Sequence, residues 1–410
     1  MQTNNIKFLP LSLSIFLLIV LCEIEFFAAF KTGLIHEGVF SGVHNISKSE
    51  FENYLNERDE DLGWPTKSAI VANYSGNGYR KNPALEQFSS DTPPCLTVYG
   101  DSLAFGSEVP DGQAWPAQLT QKLGCRVLNY GVPGYGADQS LIRFEKIHPK
   151  GVPALFTFTE INLVRNRTQV YELWSGQINL WTSKPRFVLV GNSGNDHPNL
   201  IKIGLPVNKF QDLAHLQDSS TVDRVLNHEF YLPDQSVWGS TSPSFPYLLS
   251  ASQIFWNRLI QRSSRYDNPG KDAGLLSGLK TLLSQIGPIN PLFEEDTILL
   301  QKMILERFIN TCTHESPSCM IIMLPTFPDL VLPETSGTRL IDELKKYGPI
   351  SENMLELDPA CIRSLLAKKN GLSDRIENHK LRGGHYDGLL HSLVADCLIN
   401  QLGIAPQKGP

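Results

Sequence analysis

Four short apolar runs, each closed by a turn, limit what this chain can become. LTVY (96–99), RVLNY (126–130), ALFTF (154–158) and MIIML (320–324) are strand-length and carry almost no polar alternation. A strand buried on both faces belongs to a parallel sheet covered by helices. The segments between them supply those helices. Pro116 at a first helical turn and Gly124 just past the end bracket one, with Trp115, Leu119 and Leu123 on a single face. Residues 138–147 suit a second. Residues 389–402 form a third, with Leu389, Leu390, Leu393, Val394, Cys397, Leu398 and Leu402 on one side. This rhythm predicts an α/β protein, a three-layer α/β/α sandwich with a mostly parallel sheet.

The rhythm fails between residues 167 and 317, where Pro, Ser, Asn and aromatic residues accumulate and helices are expected near 250–263, 272–285 and 296–311. The core is therefore expected to be discontinuous, 93–166 plus 318–404, within a domain spanning 93–404. A chain of 410 residues exceeds what one compact core usually needs, which fits two lobes or one domain with a large insertion. Residues 31–92 are polar and read as a stalk and lead-in.

The N-terminus opens with FLPLSLSIFLLIVLC (8–22), fifteen residues without a charge. Glu23 and Glu25 interrupt it before FFAAF (26–30) resumes. Residues 8–30 reach spanning length only with both glutamates near an interface. Residues 1–30 therefore read as a membrane anchor or a signal segment, with no clean small-x-small cleavage site. Either reading exports residues 31–410 to the periplasmic or extracellular side, Lys7 remaining inside. Six cysteines follow the apolar run. Cys312 and Cys319 flank THESPS and could close a short loop, while six buried reduced thiols fit equally well. Asn45, Asn73 and Asn166 lie in Asn-x-Ser/Thr.

The charge balance, 36 Lys+Arg against 42 Asp+Glu, argues against nucleic acid as a partner, because such binders show a basic excess or stripe. No CxxC and no Walker A occur, and Gly131-x-x-Gly134-x-Gly136 is not a dinucleotide fingerprint. His379, His385 and His391 recur every six residues, which is neither a helical nor a metal-ligand spacing. No cofactor and no metal are implied.

Ser102 follows the first predicted strand directly, at the sheet edge where α/β folds place ligands. A serine there is a candidate nucleophile if a base and oxyanion donors converge on it. The lipase elbow G-x-S-x-G is absent, since Ala104 stands in its last position.

The surrounding blocks are more specific than the serine alone. VYGDSLAFG (98–106), DGQAWPAQL (111–119), VLNYGVPGYGADQ (127–139) and GGHYDGLLHSLVADCL (383–398) follow one another in order and spacing. Together they resemble the SGNH, or GDSL-type, hydrolase superfamily, specifically its membrane-anchored bacterial branch associated with exopolysaccharide. KPRFVLV (184–190) also looks like a stretch of that branch's insertion. The resemblance covers both core segments and implies a flavodoxin-like SGNH hydrolase fold. It implies Ser102 as nucleophile, with its own N–H in the oxyanion hole, and His385 as base. It further implies Gly134 as a backbone donor and Asn162 as a side-chain donor, the latter in Thr159-Glu160-Ile161-Asn162 where a direct Glu-Asn is usual.

The last block departs from the family, which places an Asp two or three residues before the His. Here Gly383 and Arg382 stand there. Without that acid the site is a Ser–His dyad, or another carboxylate substitutes, with Asp387, Asp374 and Glu377 as candidates, or the site is weak. The expected activity is hydrolysis of ester-linked acyl groups, O-acetyl groups on carbohydrate or lipid, from a small-molecule or polysaccharide substrate. The alternatives are an O-acyltransferase for envelope polysaccharide and a catalytically weak envelope protein of the same fold.

Overall fold

The computed structural model describes residues 46–171, 180–191, 198–216, 221, 224–229, 295–331, 340–370, 375–381 and 384–403. The chain divides into two compact units, one of 1–51, 172–182 and 207–291, the other of 52–171, 183–206 and 292–410. In the first, the described residues include a short helix, Asp212–Leu216, and an edge-on contact of the Phe51 and Phe210 rings at 5.7 Å.

The second unit holds the sheet. β1 (Leu96–Tyr99), β2 (Val127–Asn129), β3 (Ala154–Phe158), β6 (Cys319–Met323) and β7 (Met354–Glu356) lie in the order β2-β1-β3-β6-β7, all parallel. This is the doubly wound order in which connections leave β1 in opposite directions, opening a crevice at the carboxyl ends of β1 and β3. An antiparallel hairpin, β4 (Arg186–Val190) with β5 (Asn199–Ile203), stands apart from it.

Among the described residues, the helices that follow β1 in this unit are α1 (Ser102–Phe105), α2 (Trp115–Leu123), α3 (Ala137–Ile147), α4 (Ile161–Arg165) and α5 (Glu295–Glu315), then α6 (Phe327–Val331), α7 (Leu340–Lys346), α8 (Pro359–Asn370) and α9 (Gly388–Leu402). Strand side chains alternate between two apolar clusters. Tyr99, Phe156 and Ile321 pack with Phe144 of α3, Phe308 of α5 and Leu344 of α7. Val98, Leu155 and Ile322 pack with Trp115 of α2, Ile362 of α8 and Val394 of α9. Helices thus cover both faces, which is why the strands read as unbroken apolar runs.

Three disulfides join the cysteines: Cys95–Cys125, Cys312–Cys319 and Cys361–Cys397. The first two tie the starts of β1, β2 and β6, and the third joins α8 to α9. Loops of this size confer about 2–4 kcal/mol each in the chain-entropy account.

Two expectations need revision. Residues 52–92, read as part of a stalk, belong to the sheet's unit, where Leu62, Tyr74 and Arg80 are buried. The polar composition there reflects side chains spent on capping and on clamping neighbouring loops. The helix expected at 296–311 is α5, and it packs into the sheet's core instead of standing in an insertion. Residues 8–30 and the helices expected at 250–263 and 272–285 lie outside the described residues. Among the described residues, no helix is long and apolar enough to cross a membrane. Of the three Asn-x-Ser/Thr sites, Asn166 is buried with its amide on Gln301, Asn73 is exposed, and Asn45 lies outside the described residues.

Candidate active site

The turn that carries Ser102 begins at Gly100, whose φ of +156° and contacts admit no side chain. A Cβ there would lie 2.1 Å from Thr157 Oγ1. Asp101 follows, almost fully buried, and caps α1 by accepting the Leu103 N–H at 2.9 Å. Its other oxygen accepts from Arg165 Nη1 at 3.2 Å and Thr159 Oγ1 at 3.3 Å. The carboxylate therefore locks β1's exit to the α4 region that follows β3.

Ser102 is the first residue of α1, 8% exposed, at the crevice between β1 and β3. Among the described residues its hydroxyl makes no hydrogen bond, and its N–H is not used by the helix. Both remain available to a ligand.

The loop after β2 lies beside this turn. Asn129 donates to Ala104 O at 2.9 Å and accepts the Gly131 N–H at 2.9 Å, tying that loop to α1. Gly134 adopts φ +84° and keeps its N–H out of the loop's own hydrogen bonds. Trp64 and Tyr171 flank it, their rings 5.9 Å apart, with the Arg165 guanidinium 5.4 Å from the Tyr171 ring centre. Both aromatics are half-buried, a wall suited to a flat apolar ligand face.

Asn162 is turned inward. Its amide nitrogen donates to Tyr135 O at 3.1 Å and lies 3.5 Å from Asp101 Oδ2, while its oxygen accepts the Thr159 N–H at 2.7 Å. Its strongest bonds in this structure hold the loops together.

The histidines have three separate partners. His385 Nδ1 is 2.7 Å from Glu108 Oε2. His379 Nδ1 is 2.7 Å from Asp387 Oδ2. His391 is buried on α9, and its Nδ1 accepts the Trp115 N–H at the start of α2 at 3.3 Å. Asp387, one candidate for the acid beside His385, instead pairs with His379 and caps α9 by accepting the Leu390 N–H at 2.9 Å. Glu377 is exposed in the turn Ile376–His379, and Asp374 lies outside the described residues. The Ser102 hydroxyl and the His385 ring are not hydrogen-bonded to each other in this structure. They are joined indirectly, since the loop bearing Glu108 returns to Ser102 through the Ser107 N–H on Ser102 O at 3.0 Å.

The Glu108–His385 contact had no sequence signal, because 277 residues separate its two members. The loop is held by Arg80, whose guanidinium is buried. It donates to Phe105 O, to Gly106 O at 2.6 Å and to Val109 O at 2.7 Å, and pairs with Asp111 at 3.0 Å.

Two titratable groups at this edge are displaced from their ordinary ranges. Glu160, just after β3, is pushed up to about 7 by burial, then by Asp329 and then by Glu356. An acid raised in the folded state costs stability as pH climbs from about 4.5 to 7. Glu160→Gln is therefore expected to raise the unfolding free energy by about 2 kcal/mol at pH 8 and to leave it unchanged at pH 4, read by urea titration.

His391 is pushed down to about 3 by burial, then by Arg80 and His385. The unfolded chain takes up this proton near pH 6.5, so His391's contribution is intact above that pH and drains away as pH falls toward 3. About 2–3 kcal/mol is expected to be lost at pH 4.5 relative to pH 7, with His391→Asn flattening that slope in urea titrations.

No protein-family model matches this chain, and no curated protein matches it.

Proposed function

We propose that this chain is a serine ester hydrolase of the SGNH type, acting on acyl groups ester-linked to carbohydrate or lipid. The observation that carries this reading is Ser102. It stands at the carboxyl end of a central parallel strand, at the topological switch, with hydroxyl and N–H both uncommitted. Ligands of doubly wound sheets bind at that place.

In this reading His385 Nε2 takes the Ser102 proton as Oγ attacks the ester carbonyl. The tetrahedral oxyanion is received by the Ser102 and Gly134 N–H groups, each such donor being worth about 2.7–4 kcal/mol in an organised site. The Asn162 proton facing Asp101 across 3.5 Å is the weaker of its two commitments and the one that substrate can claim. The intermediate collapses, His385 returns the proton to the departing alcohol, and water then hydrolyses the acyl-serine. The Trp64–Tyr171 wall beside Gly134 supports a substrate with a flat apolar face.

Three disulfides support an oxidising, exported location. With residues 8–30 as anchor, the proposed placement is membrane-attached with this site outside. Labelling the full chain with a fluorophosphonate and mapping the adduct tests the chemistry. A single adduct on Ser102 is expected. A folded chain that takes no label, or takes it elsewhere, overturns the reading.

A further inference from the structure

We propose that Glu108 is the carboxylate that positions His385, so that one segment, 102–108, supplies both the nucleophile and the acid of the site. The inference rests on the Ser–His reading above and names the residue that replaces the acid missing ahead of His385.

Glu108 Oε2 lies 2.7 Å from His385 Nδ1, the spacing of a charge-assisted hydrogen bond. With Nδ1–H directed at that oxygen, the lone pair resides on Nε2, the atom a serine base must use. The side chains are 32% and 23% exposed, so the pair is partly shielded from water. The competing acid is committed elsewhere, Asp387 to His379 and to the cap of α9.

The backbone adds an independent observation. Among the described residues, Glu108 is the one non-glycine with φ in the left-handed region, at +68°. A residue with a Cβ is disfavoured there, and such a conformation persists only where its surroundings impose it. Arg80 imposes it by gripping the carbonyls of Phe105, Gly106 and Val109 on either side. A glycine would fit this backbone better but would bring no carboxylate.

Other charged groups near His385 do not replace it. His391 faces it from α9, with its Nδ1 taken by Trp115. On its own segment, Lys380 lies over the Phe327 ring at 5.4 Å and Asp387 is paired as above. The role is orientation and stabilisation of the imidazolium. Glu108 stays ionised, and the proton moves only between Ser102, His385 Nε2 and the leaving alcohol.

The test uses the full chain with Glu108→Gln, Glu108→Asp, Glu108→Gly and Asp387→Asn. Glu108→Gln is expected to lower kcat on para-nitrophenyl acetate by about 10²–10⁴-fold with KM within about threefold. Glu108→Asp should recover part of the loss. Glu108→Gly should be as inactive as Glu108→Gln yet unfold no more readily than it does, an outcome a purely structural glutamate would not give. Wild-type kcat in Glu108→Gln would overturn the proposal, as would Asp387→Asn reproducing the loss while folded.

If wild type neither labels nor turns over, the hydrolase reading fails by itself and proton NMR of the histidines decides this pairing. A low-field Nδ1 proton of His385 that vanishes in Glu108→Gln but survives in Asp387→Asn supports it. Its persistence in Glu108→Gln refutes it.

Discussion

Replacing Ser102 by alanine is expected to lower kcat/KM for para-nitrophenyl acetate by about 10⁴–10⁶-fold, the scale seen when a triad serine is removed. The same change should leave the unfolding free energy within about 0.5 kcal/mol of wild type. The two expectations come from one observation. Among the described residues the hydroxyl makes no hydrogen bond, so its loss leaves no buried partner behind. Nor does the turn depend on it, because Asp101 caps α1 and ties it to Arg165. Steady-state kinetics and urea titration on the same preparation separate the effects. A Ser102→Ala protein that keeps wild-type turnover would move the chemistry elsewhere.

Arg80→Ala is expected to cost about 3–5 kcal/mol and to remove activity with it. Arg80 is 4% exposed, and its guanidinium serves three backbone carbonyls and one carboxylate. Removing it strands the carbonyl oxygens in a space that water enters poorly, each costing about 1–3 kcal/mol before relaxation, while the more exposed Asp111 carboxylate can turn to solvent. The loop it holds is the one that carries Glu108, so the damage reaches His385 as well as the core. Arg80→Lys is expected to recover little, since a point charge cannot span a fork of carbonyls. Urea titration gives the stability change, and fluorophosphonate labelling at low denaturant gives the effect on the site. An alanine variant within about 1 kcal/mol of wild type would show that the loop holds itself.

Much of the scaffold was legible because its signals are local. LTVY and ALFTF coincide with Leu96–Tyr99 and Ala154–Phe158, and Pro116 with Gly124 brackets Trp115–Leu123, Gly124 taking φ +68°. Other parts were not. Met354–Glu356 is a three-residue edge strand of ordinary composition, recognisable only once Ile321, Ile322 and Met323 pair with it. Residues 52–92 look like a linker because Arg80 works through backbone carbonyls, and backbone partners leave no sequence trace.

The site divides in the same way. Ser102, Gly134 and His385 are candidates because each lies in a short motif. Glu108 is set by a fold-spanning approach, and no spacing rule connects positions 108 and 385. Asn162 lies between these cases: its position in the turn was readable, but the direction of its amide depends on where the Tyr135 carbonyl falls.

The covalent staples have a consequence for how such a protein can change. Cys95–Cys125 and Cys312–Cys319 both fasten the end of the sheet from which the strands start, and Cys361–Cys397 fastens two helices on one flank. None has a cysteine in the turns that follow β1, β2 and β3. Those turns can therefore lengthen, shorten or exchange residues without breaking a cross-link, while the opposite end keeps the strands in register. Diversification of what the crevice accepts is separated from the oxidative steps that make the scaffold, and a new specificity need not wait for a new cysteine pairing.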